Sequence, residues 1–326
     1  MTAPAASVVV AAYQAERTLP ALLDALRRQD ARPPFEVLVV DDGSTDATRR
    51  LAEAAGVRVI VQPNAGPAAA RNAGWRAALA PVVLFTDSDC VPHADWVRTL
   101  AAGLDGDHEV AAGTYGIANP GSWLAETVHA EIVWRHARLG RTIDFAGSYN
   151  LAATRRALEQ VGGFDERYAA PSGEDNDLSY RLRDAGFRIR FVPAAVVDHH
   201  HPTSLARYLR EQARHGEWRV VLYARHPRRS RGDDYAGPAD LAAPPLAVLS
   251  VVLALAAPFQ PRALGACALA VSLVIALHTA LAVSVALRAR STAPLALAAV
   301  GTLRAYARGL GLVRGVLRVL GGGARR

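Results

Sequence analysis

The segment Val82-Val83-Leu84-Phe85-Thr86-Asp87-Ser88-Asp89 carries four apolar residues, suited to a buried strand, straight into two carboxylates one residue apart. Ligands collect at the carboxyl ends of strands in open α/β sheets, and an Asp-x-Asp pair there offers hard oxygen donors suited to Mg²⁺ or Mn²⁺. The competing use of such a pair is a turn or a helix N-cap. A second pair, Asp41-Asp42, closes an apolar run at 35–40. Asp41 suits either a helix cap or a ligand group, and Asp42 suits a base or ribose. A third pair, Glu174-Asp175, opens a helix, where the dipole favours an ionised carboxylate; with Asp177 it also reads as a capping cluster. His199-His200-His201 follows an apolar run at 191–197, and in extended chain only alternate members, His199 and His201, face one site.

These side chains need a frame. Residues 7–13, 35–40, 57–61 and 82–87 read as strands, and 18–28, 47–55 and 68–80 as helices between them. That alternation implies an α/β fold with a mostly parallel sheet and right-handed crossovers. Further strands are expected at 110–115 and 147–153, and further helices at 122–139 and 177–185. Trp123, His129, Trp134 and His136 on the 122–139 helix are packing residues or an aromatic wall. Neither a Gly-x-Gly-x-x-Gly turn nor a Gly-Lys-Ser/Thr loop is present, so bound phosphates must be neutralised otherwise. A divalent ion on Asp87 and Asp89 would do it.

Composition divides the 326 residues near position 240: a mixed first part, then an Ala/Leu/Val-rich part with arginine as almost the only charge. The net charge is +7 and the pI about 9.9. No zinc-finger spacing or aromatic ribonucleoprotein motif accompanies the basic residues, so membrane lipid is the expected partner and nucleic acid is not. The two cysteines, Cys90 and Cys267, suggest no disulfide framework and hence a reducing compartment. The opening residues lack a basic signal-peptide region, which leaves the first part in the cytoplasm. Apolar runs at 242–259 and 263–287 read as a transmembrane hairpin, with packed helices of a soluble domain as the alternative. Arg225, Arg228, Arg229 and Arg231 before it and Arg288 and Arg290 after it place both ends on the cytoplasmic side of an inner membrane. In 294–320, Arg304, Arg308, Arg314 and Arg318 share one arc, as in an amphipathic helix at the lipid surface. Arg207, Arg210 and Arg214 form another basic face, for an acceptor phosphate, lipid head groups or solvent. The expected domains are therefore 1–240, 241–290 and 291–326.

Five motifs in order, Val-Val-Asp-Asp-Gly-Ser-Thr-Asp (39–46), Asn-x-Gly-x-x-x-Ala-Arg-Asn-x-Gly (64–74), Thr-Asp-Ser-Asp (86–89), Gly-Gly-Phe-Asp (162–165) and Gly-Glu-Asp-x-Asp-Leu-x-x-Arg-Leu (173–182), resemble family 2 glycosyltransferases of the GT-A fold over about residues 5–215. The resemblance implies inverting transfer of a sugar from a nucleotide donor, UDP-linked first or GDP-linked. It implies that Ala12, Tyr13, Glu16, Asp41, Asp42 and Arg71 surround base and phosphate, that Asp87 meets the ribose, and that Ser88 is among the residues that bind the nucleotide-sugar. Asp89 would be the principal ligand of Mn²⁺ or Mg²⁺, with Asp87 and a following histidine, His199 or His201. Asp175 would be the base, beside Glu174. Arg71 also reads as a solvated helix residue. The Gln-x-x-Arg-Trp motif of processive relatives is absent in that spacing, which favours single transfer. With the hairpin, the expected acceptor is a polyprenyl-linked or other glycolipid intermediate of the cell envelope. A nucleotidyltransferase would want a Gly-rich basic signature at 8–18, where none is found, and a non-catalytic nucleotide-sugar or glycan scaffold would lose acidic residues that are all present.

Overall fold

The computed structural model describes residues 3–30, 34–168, 172–230 and 232–321; Pro171, Arg231 and the Arg325-Arg326 tail lie outside the described residues. The strands are β1 (Ala6–Ala12), β2 (Phe35–Asp41), β3 (Arg58–Val61), β4 (Val82–Asp87), β5 (Cys90–Pro92), β6 (Val110–Ile117), β7 (Thr142–Ile143), β8 (Asn150–Thr154) and β9 (Ile189–His199). The helices are α1 (Leu19–Arg27), α2 (Thr48–Ala54), α3 (Pro67–Ala77), α4 (Trp96–Ala101), α5 (Trp123–His136), α6 (Arg155–Val161), α7 (Glu174–Asp184), α8 (Leu205–Arg225), α9 (Pro238–Ala256), α10 (Arg262–Ala289) and α11 (Leu297–Leu320).

The chain forms two compact units, Met1–Ala118 with Leu139–His200, and Asn119–Arg138 with His201–Arg326. The division does not fall at residue 240, because α5 and α8 fold with the apolar helices. In the first unit the sheet runs β3-β2-β1-β4-β8-β6-β9-β5, with β7 on β9. β3, β2, β1 and β4 are parallel, as the strand and helix alternation requires; beyond β4 the sheet turns mixed, with β8 antiparallel to β4 and β6, and β9 parallel to β6.

Alternation along the central strands fills a core on each face. Val8, Val10, Val39 and Leu84 pack with Leu19, Leu22, Trp96 and Leu100 on one side. Val9, Leu38, Val83 and Phe85 pack with Trp75, Leu158, Phe164 and Leu178 on the other. Gly74 lets α3 lie against β1: a Cβ there would strike Val9. Asn150 ties β8 into the sheet, donating to the carbonyls of Thr114 (2.9 Å) and Ala195 (2.9 Å) and accepting from the Trp96 indole (2.8 Å).

In the second unit α8 and α11 run in the same direction, with Tyr208, Gln212 and Glu217 meeting Arg304, Arg308 and Arg318 in turn. Their backbones approach closely at Gly216, Gly311 and Gly315, where a Cβ would meet the facing main chain. α9 continues through Pro244 and Pro245. Ala239–Ala256 and Arg262–Ala289 are long and apolar enough to cross a membrane, with mean hydropathies of 1.9 and 2.3. They leave Leu249, Val252, Leu255, Leu264, Leu269 and Leu287 exposed.

The arginine arc of α11 differs from a lipid-facing one. Arg304 is buried and binds Glu131 through both terminal nitrogens (2.7 and 3.0 Å), Arg308 binds Gln212 and Asp240, and Arg318 binds Glu217. The partners come from distant parts of the chain, so helical spacing alone could not reveal them. Burial alone would raise Glu131, but Arg304 and Arg135 hold its pKa down at about 2. Its contribution to stability is therefore fully present above about pH 4.5 and lost as the pH falls toward 2. Glu131→Gln, which leaves Arg304 short of charge in a buried place, is expected to cost about 3–5 kcal/mol at neutral pH. Denaturant unfolding in detergent measures it; a loss below about 1 kcal/mol would mean the pair is worth no more than a surface ion pair.

Candidate active site

Because β1, β2 and β4 are parallel and in register, their carboxyl ends meet on one line: Ala12 stands opposite Asp41, and Ala11 opposite Asp87. Two loops close over this edge. Tyr13 is exposed, and Gln14, at φ +50°, donates from its amide nitrogens to Ser44 Oγ and Thr45 Oγ1. Glu16 Oε2 accepts from the Ala47 amide (3.1 Å). Asp41 caps its own turn by accepting from the Ser44 amide (3.2 Å). Asp42 is buried and shapes the next loop: it accepts from Gln62 (2.7 Å), the Ala65 amide (2.9 Å) and the Gly66 amide (2.9 Å). That fixes Gly66, at φ +91°, as the turn that starts α3.

Arg71, one and a half turns into α3, is buried. It donates to Asp87 Oδ1 (2.8 Å) and Glu174 Oε1 (3.1 Å), and lies 3.9 Å from Asp175 Oδ1. One guanidinium thus gathers a strand end and a helix start that are far apart in sequence. Burial alone would lower its pKa, and the three carboxylates reverse that. Glu174 is pushed up to about 7 by burial and the adjacent Asp175 charge, with Arg71 opposing. Asp175 is also raised, by burial first and by Asp87, against Arg71 and Ser148. The Glu174 carboxylate is fully used, its Oε2 accepting from the Ser172 amide (2.8 Å). Asp175 Oδ1 is buried without a hydrogen-bond partner among the described residues. Asp177 pairs with Arg181 (2.7 Å) one turn on.

The Asp-x-Asp pair divides its duties. Asp87 faces Arg71, while Asp89, beyond the end of β4, lies 3.5 Å from His199 Nε2. The pairing of β5 with β9 causes this, setting Cys90 opposite His199, with the Asp89 carbonyl accepting from the His200 amide (3.1 Å). Ligand atoms of Asp89, Cys90 and His199 fall within 4.8 Å of one another. Metal–ligand bonds of about 2.0–2.3 Å place neighbouring donors roughly 3 Å apart, so the Asp89–His199 pair fits one ion. A carboxylate with an imidazole suits Mn²⁺. Cys90 is held as a thiol, its pKa pushed well up by burial and by Asp89 and Asp87, which leaves the fit resting on the other two. His201 lies in the second unit, where its Nε2 is 3.2 Å from His129 Nδ1.

Several site-building residues had no role assigned from sequence. Asn72 accepts from Trp75 and the Phe164 amide, and donates to the Phe164 carbonyl and Glu166. Gly163, at φ +72°, has no room for a Cβ against Asn72 and Trp75. Together they set the Phe164 ring 5.5 Å from the Arg71 guanidinium and edge-on to Phe85. The Gly-Gly-Phe-Asp motif marked the place without showing its purpose. Tyr115 stacks on Tyr149 (3.6 Å, 11°) and its ring lies 5.0 Å from that of His199, a contact between β6, β9 and the turn before β8 that no local pattern reveals.

A mostly parallel α/β domain with an acidic, arginine-tied site at the strand ends is the class this geometry defines. The model of "Glycosyl transferase family 2" matches residues 7–156 and that of "Glycosyl transferase family group 2" matches 82–300. The chain belongs to glycosyltransferase family 2. It is 32% identical over 209 residues to the pre-mycofactocin glycosyltransferase of Mycobacterium tuberculosis, covering 60% of this chain and 44% of that one. The chain thus spans less than half the length of that relative. It is 31% identical over 193 residues to an uncharacterized glycosyltransferase of the same organism, covering 58% of this chain and 84% of that one. Among solved structures, the mannosyltransferase PcManGT of Pyrobaculum calidifontis, in complex with GDP-Man and Mn²⁺, superposes with a TM-score of 0.59 at 23% identity, covering 97% of this chain and 88% of that one. The fold is GT-A.

Removing the shared cation exposes what it neutralises. In Arg71→Met, with chelator present, the loss of stability at pH 8 is expected to reach about 3–5 kcal/mol. Carboxylates with raised folded-state pKa values bind protons on folding, so stability should recover as the pH falls from about 7 toward 4.5. Thermal unfolding at both pH values tests it, and an equal loss at both would contradict the clustered-charge account.

Proposed function

We propose that this protein transfers a single sugar from a nucleotide-sugar donor, UDP-linked first and GDP-linked second, to a membrane-associated acceptor, with inversion at the anomeric carbon and with Mn²⁺ or Mg²⁺ bound. The observation that carries the reading is the Arg71 cluster, in which Glu174 is consumed by hydrogen bonds and Asp175 keeps a buried oxygen without one. Asp175 is the base: it takes the acceptor hydroxyl's proton as that oxygen bonds to the anomeric carbon and the bond to the diphosphate breaks. Its raised proton affinity suits the task, and Arg71, by fixing Glu174 and Asp87, positions it. The Asp41-Asp42 loop and Tyr13 border the base, and Asp87 and Ser88 the ribose. Asp89 and His199 would hold the divalent ion, which supplies positive charge to the departing diphosphate. A fold neighbour that carries GDP-Man and Mn²⁺ supports the donor class.

The exposed apolar faces of α9 and α10 support membrane attachment, and the arginines before and after the hairpin support both of its ends facing the cytoplasm at an inner membrane. The acceptor is accordingly polyprenyl- or otherwise lipid-linked, an intermediate of envelope glycan synthesis.

Nucleoside-diphosphate release from UDP-, GDP- and dTDP-sugars, with Mn²⁺, Mg²⁺ or chelator and with membrane lipid extract, tests this. Release from one donor is expected, dependent on metal, stimulated by lipid, and lowered at least about 100-fold in Asp89→Ala. Release that survives chelation or the substitution would remove the metal from the account. No binding of any donor would remove the transfer reading itself.

A further inference from the structure

The carboxyl edge of the sheet continues past Asp42 to the next strand. β1, β2 and β3 are parallel neighbours, with Ala12 opposite Asp41 and Asp41 opposite Val61, so Tyr13, Asp42 and Gln62 leave their strands in one row. Residues 62–66 are bound closely to residues 41–43. The Gln62 backbone amide donates to the Asp41 carbonyl (3.0 Å), and the Asn64 side chain donates to the Asp42 carbonyl (3.1 Å). Gly43, at φ +77°, meets the same segment, where a Cβ would come within 2.8 Å of the Asn64 backbone nitrogen. A loop tied at this many points keeps one shape.

Within it the Asp42 carboxylate is fully engaged. Its Oδ1 accepts from Gln62 Nε2 (2.7 Å) and the Ala65 amide (2.9 Å), its Oδ2 accepts from the Gly66 amide (2.9 Å), and the residue is 3% exposed. What Asp42 does for a ligand it does through Gln62. A carboxylate that only accepts leaves no choice of amide orientation: the NH₂ end of Gln62 faces it, and the carbonyl end is left over. Gln62 is half-buried, and its Oε1 is neither buried nor in receipt of a hydrogen bond from the described residues. The row therefore ends in an open acceptor. An untethered glutamine can turn either end of its amide to a ligand, whereas this one offers oxygen alone.

We propose that Gln62, oriented by Asp42, selects the base of the nucleotide donor: Oε1 accepts from the ring N–H of uracil, thymine or guanine. Cytosine and adenine carry a lone pair at the corresponding ring nitrogen, which would meet the oxygen acceptor to acceptor. The inference rests on the nucleotide-sugar reading given above, in which Tyr13 and the Asp41-Asp42 loop border the base. It goes beyond that reading by naming the residue that chooses the base and the chemistry of the choice.

The full chain in neutral detergent, with Mn²⁺, is titrated with UDP, CDP, GDP and ADP, and with N3-methyl-UDP or 1-methyl-GDP to match the preferred base. The nucleotide with a ring N–H is expected to bind at least about tenfold tighter than its counterpart without one, UDP against CDP or GDP against ADP. Methylation of that nitrogen should lose a similar factor. Gln62→Met, close in size and without the amide, should shrink both differences to about twofold or less, with CDP or ADP bound as by wild type. Gln62→Ala takes its place if Gln62→Met does not fold. Affinity unchanged by methylation, or a preference that survives in the variant, overturns the assignment and leaves the transfer reading intact. Binding of none of the four nucleotides overturns both.

Discussion

A buried guanidinium among three carboxylates is the constraint on which the first unit is built. Arg71 cannot remain ionised inside the protein without Asp87 and Glu174, and Glu174 and Asp175 cannot be held side by side without Arg71. The carboxylates arrive from two elements and the cation from a third, so the cluster forms only when β4, α3 and α7 are all in place. Asn72 on the same helix fixes Phe164 beneath the cation, and Arg181 clamps the carbonyls of Val161 and Gly163 while pairing with Asp177. The loop geometry around the site is therefore a consequence of charge neutralisation as much as of packing.

The division of labour between neighbouring acids follows from this. Of Glu174 and Asp175, the first accepts from Arg71 and the Ser172 amide, and the second keeps a buried oxygen without a hydrogen-bond partner among the described residues. Of Asp87 and Asp89, the first faces Arg71 and the second faces His199. The second unit uses the same currency of arginine and carboxylate, with Glu131 and Asp240 as its acids.

Much of this was legible in the sequence, and the limits are physical. The strands ending at Asp41 and Asp87, and the helices between them, are written in local periodicity, and the carboxylates sit where a parallel sheet must present them. Asp42 was legible as a loop acid, though its three hydrogen bonds to Gln62, Ala65 and Gly66 were not, because they depend on how two loops meet. Arg71 could not be told from a solvated helix arginine, since the partners that bury it lie 16 and 103 residues away. The arc of Arg304, Arg308 and Arg318 pointed to lipid for the same reason: periodicity reports which residues share a face, not what the face meets. His199 and His201 share a parity, yet strand pairing keeps His199 with Asp89 and the chain carries His201 into the second unit.

The proposed transfer depends on Asp175 taking the proton while Glu174 holds the frame. Transfer rate and donor dissociation constant, measured together for Asp175→Asn and Glu174→Gln with the preferred donor and metal, address that most directly. Asp175→Asn is expected to lower kcat by at least about 1,000-fold with donor affinity and thermal stability near wild type. Glu174→Gln is expected to lower stability and affect both constants. Substantial turnover in Asp175→Asn, with the protein folded and donor bound, would contradict the assignment.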